Sequence, residues 1–197
     1  MKIAIDIDKT IFDCNSVFYQ YINTYHINQN LNDELKYKEI DLNEYKACVG
    51  KVIKHFSRMH NPDFYSVQSE APDVIKKWID HGDEIILLSS RPAFKNLVGA
   101  LLVCLQNYKI PFSKIIVKCN NKAVYCKKEN VDVLIDDSHF ICNNAKKIGV
   151  NTIWHIAKFG EFKKYPPIEY FAFSRSWKEL DEMISQLRTD KKITKIR

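Results

Sequence analysis

Lys2-Ile3-Ala4-Ile5-Asp6-Ile7-Asp8-Lys9-Thr10 is the stretch on which the reading of the whole chain turns. Its first half is a short apolar run of the kind that forms a β-strand covered on both faces, and two carboxylates follow where that run stops. Strand alternation points Asp6 and Asp8 the same way. In an open parallel sheet ligands bind beyond the carboxyl ends of the strands, so the two acids stand where a site would form. Within this segment alone a plainer reading is equally open: Asp8 caps a turn and Asp6 a helix, and Thr10 serves as a helix N-cap.

Later segments weaken that plainer reading. Glu84-Ile85-Ile86-Leu87-Leu88 is a second apolar strand and ends in Ser89-Ser90-Arg91-Pro92. Val131-Asp132-Val133-Leu134-Ile135 is another and ends in Asp136-Asp137-Ser138. Between them Lys122 follows Asn120-Asn121 and opens a helical stretch from Ala123 to Lys128, from which an amine could reach the same end of the sheet. Lys118, at the end of a strand over Lys114–Val117, is the rival amine, and either Ser89 or Ser90 could face an anion.

Asp6-x-Asp8-x-Thr10, a strand ending in Ser89, Lys122, and the acidic pair Asp136-Asp137 together resemble, in that order, the four motifs of the haloacid dehalogenase-like superfamily of phosphohydrolases. The resemblance runs from Met1 to about Trp154. It implies that Asp6 is a nucleophile forming an aspartyl-phosphate, and that Asp8 is first the acid and then the base. Neighbouring carboxylates are expected to keep Asp8 protonated at the start. Ser89 or Ser90, with Thr10, would bind phosphate oxygens, and Lys122 would supply positive charge to the transferring group. Asp6, the backbone carbonyl of Asp8, Asp136 and Asp137 would hold a metal. The four acids carry a formal charge of −4, which calls for a divalent ion, and oxygen-only ligands point to Mg²⁺. Dehalogenases and phosphonatases of this superfamily lack an acid matching Asp8, so a phosphate ester is the expected substrate.

Within the superfamily the chain resembles most the 5′-nucleotidases of the cytosolic deoxyribonucleotidase type, on Asp6-Ile-Asp-x-Thr-Ile-Phe-Asp13, Leu-Leu-Ser-Ser-Arg91 and Leu-Ile-Asp-Asp-Ser138. That resemblance implies a (deoxy)nucleoside monophosphate substrate. Lys9, where Gly is common, and Cys14, where an aromatic often holds the base, depart from it. A sugar phosphate or other small metabolite is the alternative substrate, followed by the 3′-phosphate of a nucleic acid.

Helical and strand signals alternate from Ala71 onward, which implies a doubly wound, Rossmann-like α/β fold with a mostly parallel sheet of five strands. Pro72–His81 reads as a helix stopped by Gly82, Pro92 opens another, and a third runs from Asp137 to Lys147 before the strand Asn151–Ile156. Ser176-Trp177-Lys178-Glu179 reads as a capping box opening a last helix. Residues 14–69 break the alternation with an aromatic-rich helical pattern. The expected organisation is a core of residues 1–13 and 70–197 with residues 14–69 as an inserted cap. Cap aromatics such as Phe64 and Tyr65 could stack a nucleobase.

At 197 residues, 46% hydrophobic, the chain suffices for one buried domain and a modest insertion. It has no apolar run of about 20 residues and no signal-peptide pattern at its start, so the expectation is a soluble cytoplasmic protein with no membrane partner. Six cysteines without a Cys-x-x-Cys pair read as buried thiols, and Cys48, His55 and His60 match no common zinc spacing. Much of the +6 charge lies in the tail with Lys191, Lys192, Lys195 and Arg197, which argues against nucleic acid as the main partner. A small phosphate ester and, in a homodimer, a second copy of the chain are the partners expected.

Overall fold

The computed structural model describes residues 1–13, 66–91, 95–156 and 172–196. The bulk of the expected cap, with its aromatics, Cys48, His55 and His60, lies outside the described residues. Strands β1 (Lys2–Asp6), β4 (Glu84–Leu88), β5 (Lys114–Ile116), β6 (Val133–Asp136), β7 (Asn151–His155) and β8 (Ala172–Ser174) form one sheet in the order β5-β4-β1-β6-β7-β8. Every pairing in it is parallel. The sheet has six strands where the sequence reading expected five. β8 is three residues long and sits on an edge, too short to carry a hydrophobic period. Two more two-residue strands, β2 (Phe12–Asp13) and β3 (Ser66–Val67), pair antiparallel where the chain enters and leaves residues 14–65.

Strand alternation divides the core. Ile3, Ile5, Ile85, Leu87, Val133 and Ile135 face one side, where α1 (Ala71–Asp80), α2 (Lys95–Asn107) and α5 (Trp177–Ile196) supply Ile75, Trp78, Leu101, Leu105, Trp177, Leu180 and Ile184. Ala4, Ile86, Leu88 and Leu134 face the other, against Ala123 and Cys126 of α3 (Lys122–Lys128) and Ala145 of α4 (His139–Lys147). Asp6 continues the alternation of Ala4, and Asp136 that of Leu134. Both acids therefore leave the sheet on the side of α3 and α4.

Local chemistry fixes the helix starts beside the acids. Asn121 accepts the Val124 N–H at 3.1 Å and caps α3, and Ser138 accepts the Ile141 N–H at 3.4 Å and caps α4. At α5 Ser176 accepts from the Glu179 N–H at 3.2 Å, but Glu179 reaches back to the Arg175 N–H rather than to that of Ser176. α1 ends at Gly82, whose φ of +84° favours glycine. Four of the cysteines, Cys104, Cys119, Cys126 and Cys142, are buried free thiols.

Candidate active site

β1 is central, with β4 on one side and β6 on the other, so the chain reverses its direction of winding at β1. Beyond the carboxyl ends of β1 and β6 lie Asp6, Asp136 and Asp137, each offering an oxygen within 4.8 Å of the others. Lys122, at the first position of α3, is buried and places its Nζ between two of them. It donates to Asp136 Oδ2 at 2.8 Å and to Asp6 Oδ1. Of the two candidate lysines Lys122 is thus the one that reaches the acids, whereas Lys118 is exposed. The N–H of Ser138 donates to the other Asp136 oxygen at 2.9 Å, so that carboxylate is held at both ends.

Three acids share one ammonium. Burial pulls the Lys122 amine down, but Asp6 and Asp136 outweigh it and hold it protonated above its ordinary range. Burial, then the Asp136 carboxylate, pushes Asp6 well above the usual carboxyl range against the pull of Lys122. Burial also raises Asp136, with Lys122 and the Ser138 N–H opposing it, and burial with Asp136 raises Asp137 to about 6. Lys122 alone does not balance this group, so in the absence of another cation the acids tend to retain protons.

Asp8 stands past the end of β1 in a turn closed by Lys9 N–H to Phe12 O at 2.8 Å. Lys9 has a φ of 65°, in the left-handed region where glycine is favoured. Arg91 forks onto Asp8, its Nε donating to Oδ2 at 2.8 Å and its terminal nitrogen to Oδ1. A bidentate guanidinium partners an ionised carboxylate. This differs from the expectation of an Asp8 protonated by its acidic neighbours. Acidic neighbours alone favour a protonated Asp8, and the guanidinium that opposes them arrives from 83 residues further along the chain.

The two serines part company. Ser89 is fully buried; its hydroxyl oxygen accepts the Arg91 N–H at 3.1 Å and keeps a proton to donate. Ser90 is exposed and donates to the Cys119 carbonyl at 3.3 Å. No helix starts at Thr10, so it is not an N-cap; its Oγ1 is buried with no hydrogen-bond partner among the described residues.

The parallel α/β sheet, wound in both directions from a central strand whose carboxyl end carries an acid, is a fold shared with solved structures of phosphatases and haloacid dehalogenase-like hydrolases. No protein-family model and no curated protein matches the sequence. A predicted phosphatase from Clostridium acetobutylicum superposes with a TM-score of 0.65 at 14% identity, covering 94% of this chain and 98% of that one. A haloacid dehalogenase-like hydrolase from Streptococcus pneumoniae gives 0.61 at 13%, over 93% and 97%. CbbY from Rhodobacter sphaeroides, in complex with phosphate, gives 0.55 at 14%, over 91% and 95%. None of these three is described as a nucleotidase, so the narrower resemblance gains no support from them. Among the described residues, no helix is long and apolar enough to cross a membrane.

Proposed function

We propose that the protein hydrolyses small organic phosphate monoesters, with Asp6 as nucleophile. The observation that carries this reading is the buried Lys122 amine lying between Asp6 and Asp136, with Asp137 beside them, at the carboxyl ends of two central strands. An Asp6 oxygen attacks phosphorus, the bond from phosphorus to the ester oxygen breaks, and the leaving alkoxide takes a proton from Asp8. Water then attacks the aspartyl-phosphate and gives its proton to Asp8. The bond to Asp6 breaks and inorganic phosphate departs. Lys122 and Ser89 hold the non-bridging oxygens through both steps.

Asp8 is ionised while Arg91 forks onto it, so it can donate only after Arg91 lets go and the freed carboxylate takes up a proton from water. A phosphate dianion arriving beside that guanidinium is an alternative partner with the same forked geometry, so substrate entry itself would free the carboxylate for that protonation.

The donor set fits a divalent cation. All its ligands are oxygens, and three acids set against one ammonium leave a formal −2, which one divalent ion matches. Asp6, Asp136, Asp137 and the backbone carbonyl of Asp8 would hold Mg²⁺. When bound, the ion would screen the phosphate oxygens, whose repulsion from one carboxylate at ~4 Å is about 4 kcal/mol at an effective dielectric near 20.

The phosphatase description of the C. acetobutylicum protein and the phosphate held by CbbY support an ester of this kind without naming its alcohol. Nucleoside monophosphates are the first candidates, on the segments Asp6–Asp13, Leu87–Arg91 and Leu134–Ser138. Sugar phosphates come second, favoured by Lys9 and Cys14 at positions where base-binding relatives differ. Choice among alcohols is assigned to residues 14–65, whose flanking residues Phe12–Asp13 and Ser66–Val67 pair as the β2–β3 ladder beside the Asp8 turn.

The test is phosphate release from a panel of deoxynucleoside monophosphates, sugar phosphates and a chromogenic ester, with Mg²⁺ or with chelator. Turnover that requires Mg²⁺ and vanishes in Asp6→Asn is expected. An inactive wild-type protein across the panel overturns the reading.

A further inference from the structure

His155 and Gln68 are buried or half-buried polar residues with no part in the chemistry above, yet both belong to one hydrogen-bonded chain that ends on the Asp8 turn. Trp177 Nε1 donates to Gln68 Oε1 at 2.9 Å, and because an indole nitrogen can only donate, the Gln68 atom facing it is its oxygen. That turns Gln68 Nε2 toward the carbonyl of Lys9, 3.4 Å away. The same oxygen lies 3.4 Å from His155 Nε2, which must then carry the proton, leaving Nδ1 to accept from the Ser174 hydroxyl at 2.7 Å. The Gln68 backbone N–H also donates to Ile11 O at 2.9 Å. Gln68 therefore grips the turn that follows Asp8 twice, at residue 9 and at residue 11.

The grip falls where the backbone most needs one. Lys9 holds a left-handed φ of 65° without being glycine, a backbone conformation that needs support from its surroundings. His155 is fully buried against Trp177, with ring centroids 5.7 Å apart, and burial pushes its pKa down to about 4, which matches the neutral tautomer the network requires. Resting on the reading of Asp8 as the acid, we propose that Gln68, oriented by Trp177 and by the His155–Ser174 pair, is a positioning residue that holds the turn carrying Asp8 in its working conformation.

Two variants test this. Gln68→Leu removes every side-chain hydrogen bond that Gln68 makes, to Trp177, His155 and Lys9. Gln68→Glu keeps the shape and the oxygen facing Trp177 and His155 but replaces the N–H that meets Lys9 with an acceptor, so it remains informative if the leucine variant does not fold. A misplacement of a catalytic group by about 1 Å can cost ~10²-fold, so kcat should fall about 10- to 100-fold in either variant. KM should stay within about twofold, because Ser89 and Lys122 do not touch Gln68. Amide hydrogen exchange at residues 9–12 should quicken about tenfold or more, while exchange in β1 and β6 stays at the wild-type rate. A folded Gln68→Glu protein with wild-type kcat and wild-type exchange at residues 9–12 overturns the proposal. So does a fall in melting temperature with kcat unchanged below the transition, which would make Gln68 merely structural. If the wild-type protein hydrolyses no phosphate ester the function reading fails, and the exchange measurement still decides this one.

Discussion

Lys122→Met asks whether the ammonium between the acids balances charge as the geometry requires. The Lys122 side chain is 3% exposed and its two partners 6% and 0%. At 2.8 Å and an effective dielectric near 20, the contact with Asp136 alone is worth about 6 kcal/mol before desolvation is counted. Removing one partner of a buried pair typically costs roughly 3–5 kcal/mol. A second route caps the loss. The stranded acids can take up a proton, and at pH 7 this costs at most about 4 kcal/mol, the figure for a carboxyl of ordinary pKa, because burial already raises all three. The second route therefore limits the deficit in chelator to no more than about 4 kcal/mol, or a melting temperature lower by at most roughly 16 °C for a chain of this size. Because proton uptake is what limits the loss, the deficit should shrink as pH falls from about 7 toward 5. The double variant Asp6→Asn with Lys122→Met removes one acid along with the amine, and it should be more stable than Lys122→Met alone by at least about 1 kcal/mol. Urea unfolding in chelator reads all three quantities. A Lys122→Met protein within about 1 kcal/mol of wild type at pH 7, or a double variant whose losses simply add, would refute the buried triad.

Asp6→Asn should lower phosphatase turnover by about 10⁴-fold or more while far-ultraviolet circular dichroism stays unchanged; activity within tenfold of wild type would remove Asp6 from the nucleophile's place. Arg91→Ala should lower kcat/KM by about 10- to 100-fold, the worth of a charge-assisted forked bond, and Arg91→Lys should recover only part; equal activity in all three proteins would leave Arg91 a structural partner. Asp137 has its pKa raised to about 6, so the folded apo-protein holds a proton there that a metal ligand must lose. The stability this proton confers on the apo-protein is present below about pH 4 and lost as pH rises through about 6. Mg²⁺ affinity should accordingly climb up to tenfold per pH unit below about 6 and level off above it, with proton release seen by calorimetry in buffers of differing ionisation heat; a flat affinity from pH 5 to 7 would exclude Asp137 as a ligand. His155 carries the opposite sign. Its folded pKa is depressed to about 4, so its contribution is complete above about 6.5 and fades as pH falls toward 4 by about 3 kcal/mol, and His155→Gln should flatten that limb of a stability–pH curve.

How much of this was legible beforehand depended on the range of each interaction along the chain. The period of the apolar runs located β1, β4, β5, β6 and β7 to within a residue or two, because a strand buried on both faces leaves its composition in consecutive positions. Asp6, Lys122 and Asp136 could be expected to converge because each stands at the mouth of such an element. The pairing of Arg91 with Asp8 spans 83 residues, and nothing local in either segment encodes it. It reverses one inference, since an acid surrounded by acids should hold a proton while an acid in a guanidinium fork should not. The link from Gln68 to His155 spans 87 residues and was equally hidden: Gln68 has no periodic neighbour, and β8, which brings Ser174 to His155, is three residues long.

These two long-range links bear on the same turn from opposite sides. Arg91 reaches Asp8 from the end of β4, and Gln68 reaches Lys9 and Ile11 from the end of β3. Asp6, Asp136 and Lys122 are fixed by strands and a capped helix packed in the core, so the proposed nucleophile and its counter-charge are set once the sheet forms. Asp8 lies past the last strand residue, on a turn with a left-handed lysine, and is bridged to Phe12 beyond the end of β1's pairing with β4. In the proposed reaction Asp8 exchanges a proton and parts from Arg91 within one turnover, which needs a backbone that stays still while the side chain changes partner. That requirement separates the two contacts. Losing Arg91 should alter how substrate binds, and losing Gln68 should alter how fast bound substrate reacts, so KM and kcat measured on the two variants tell whether the division of labour holds.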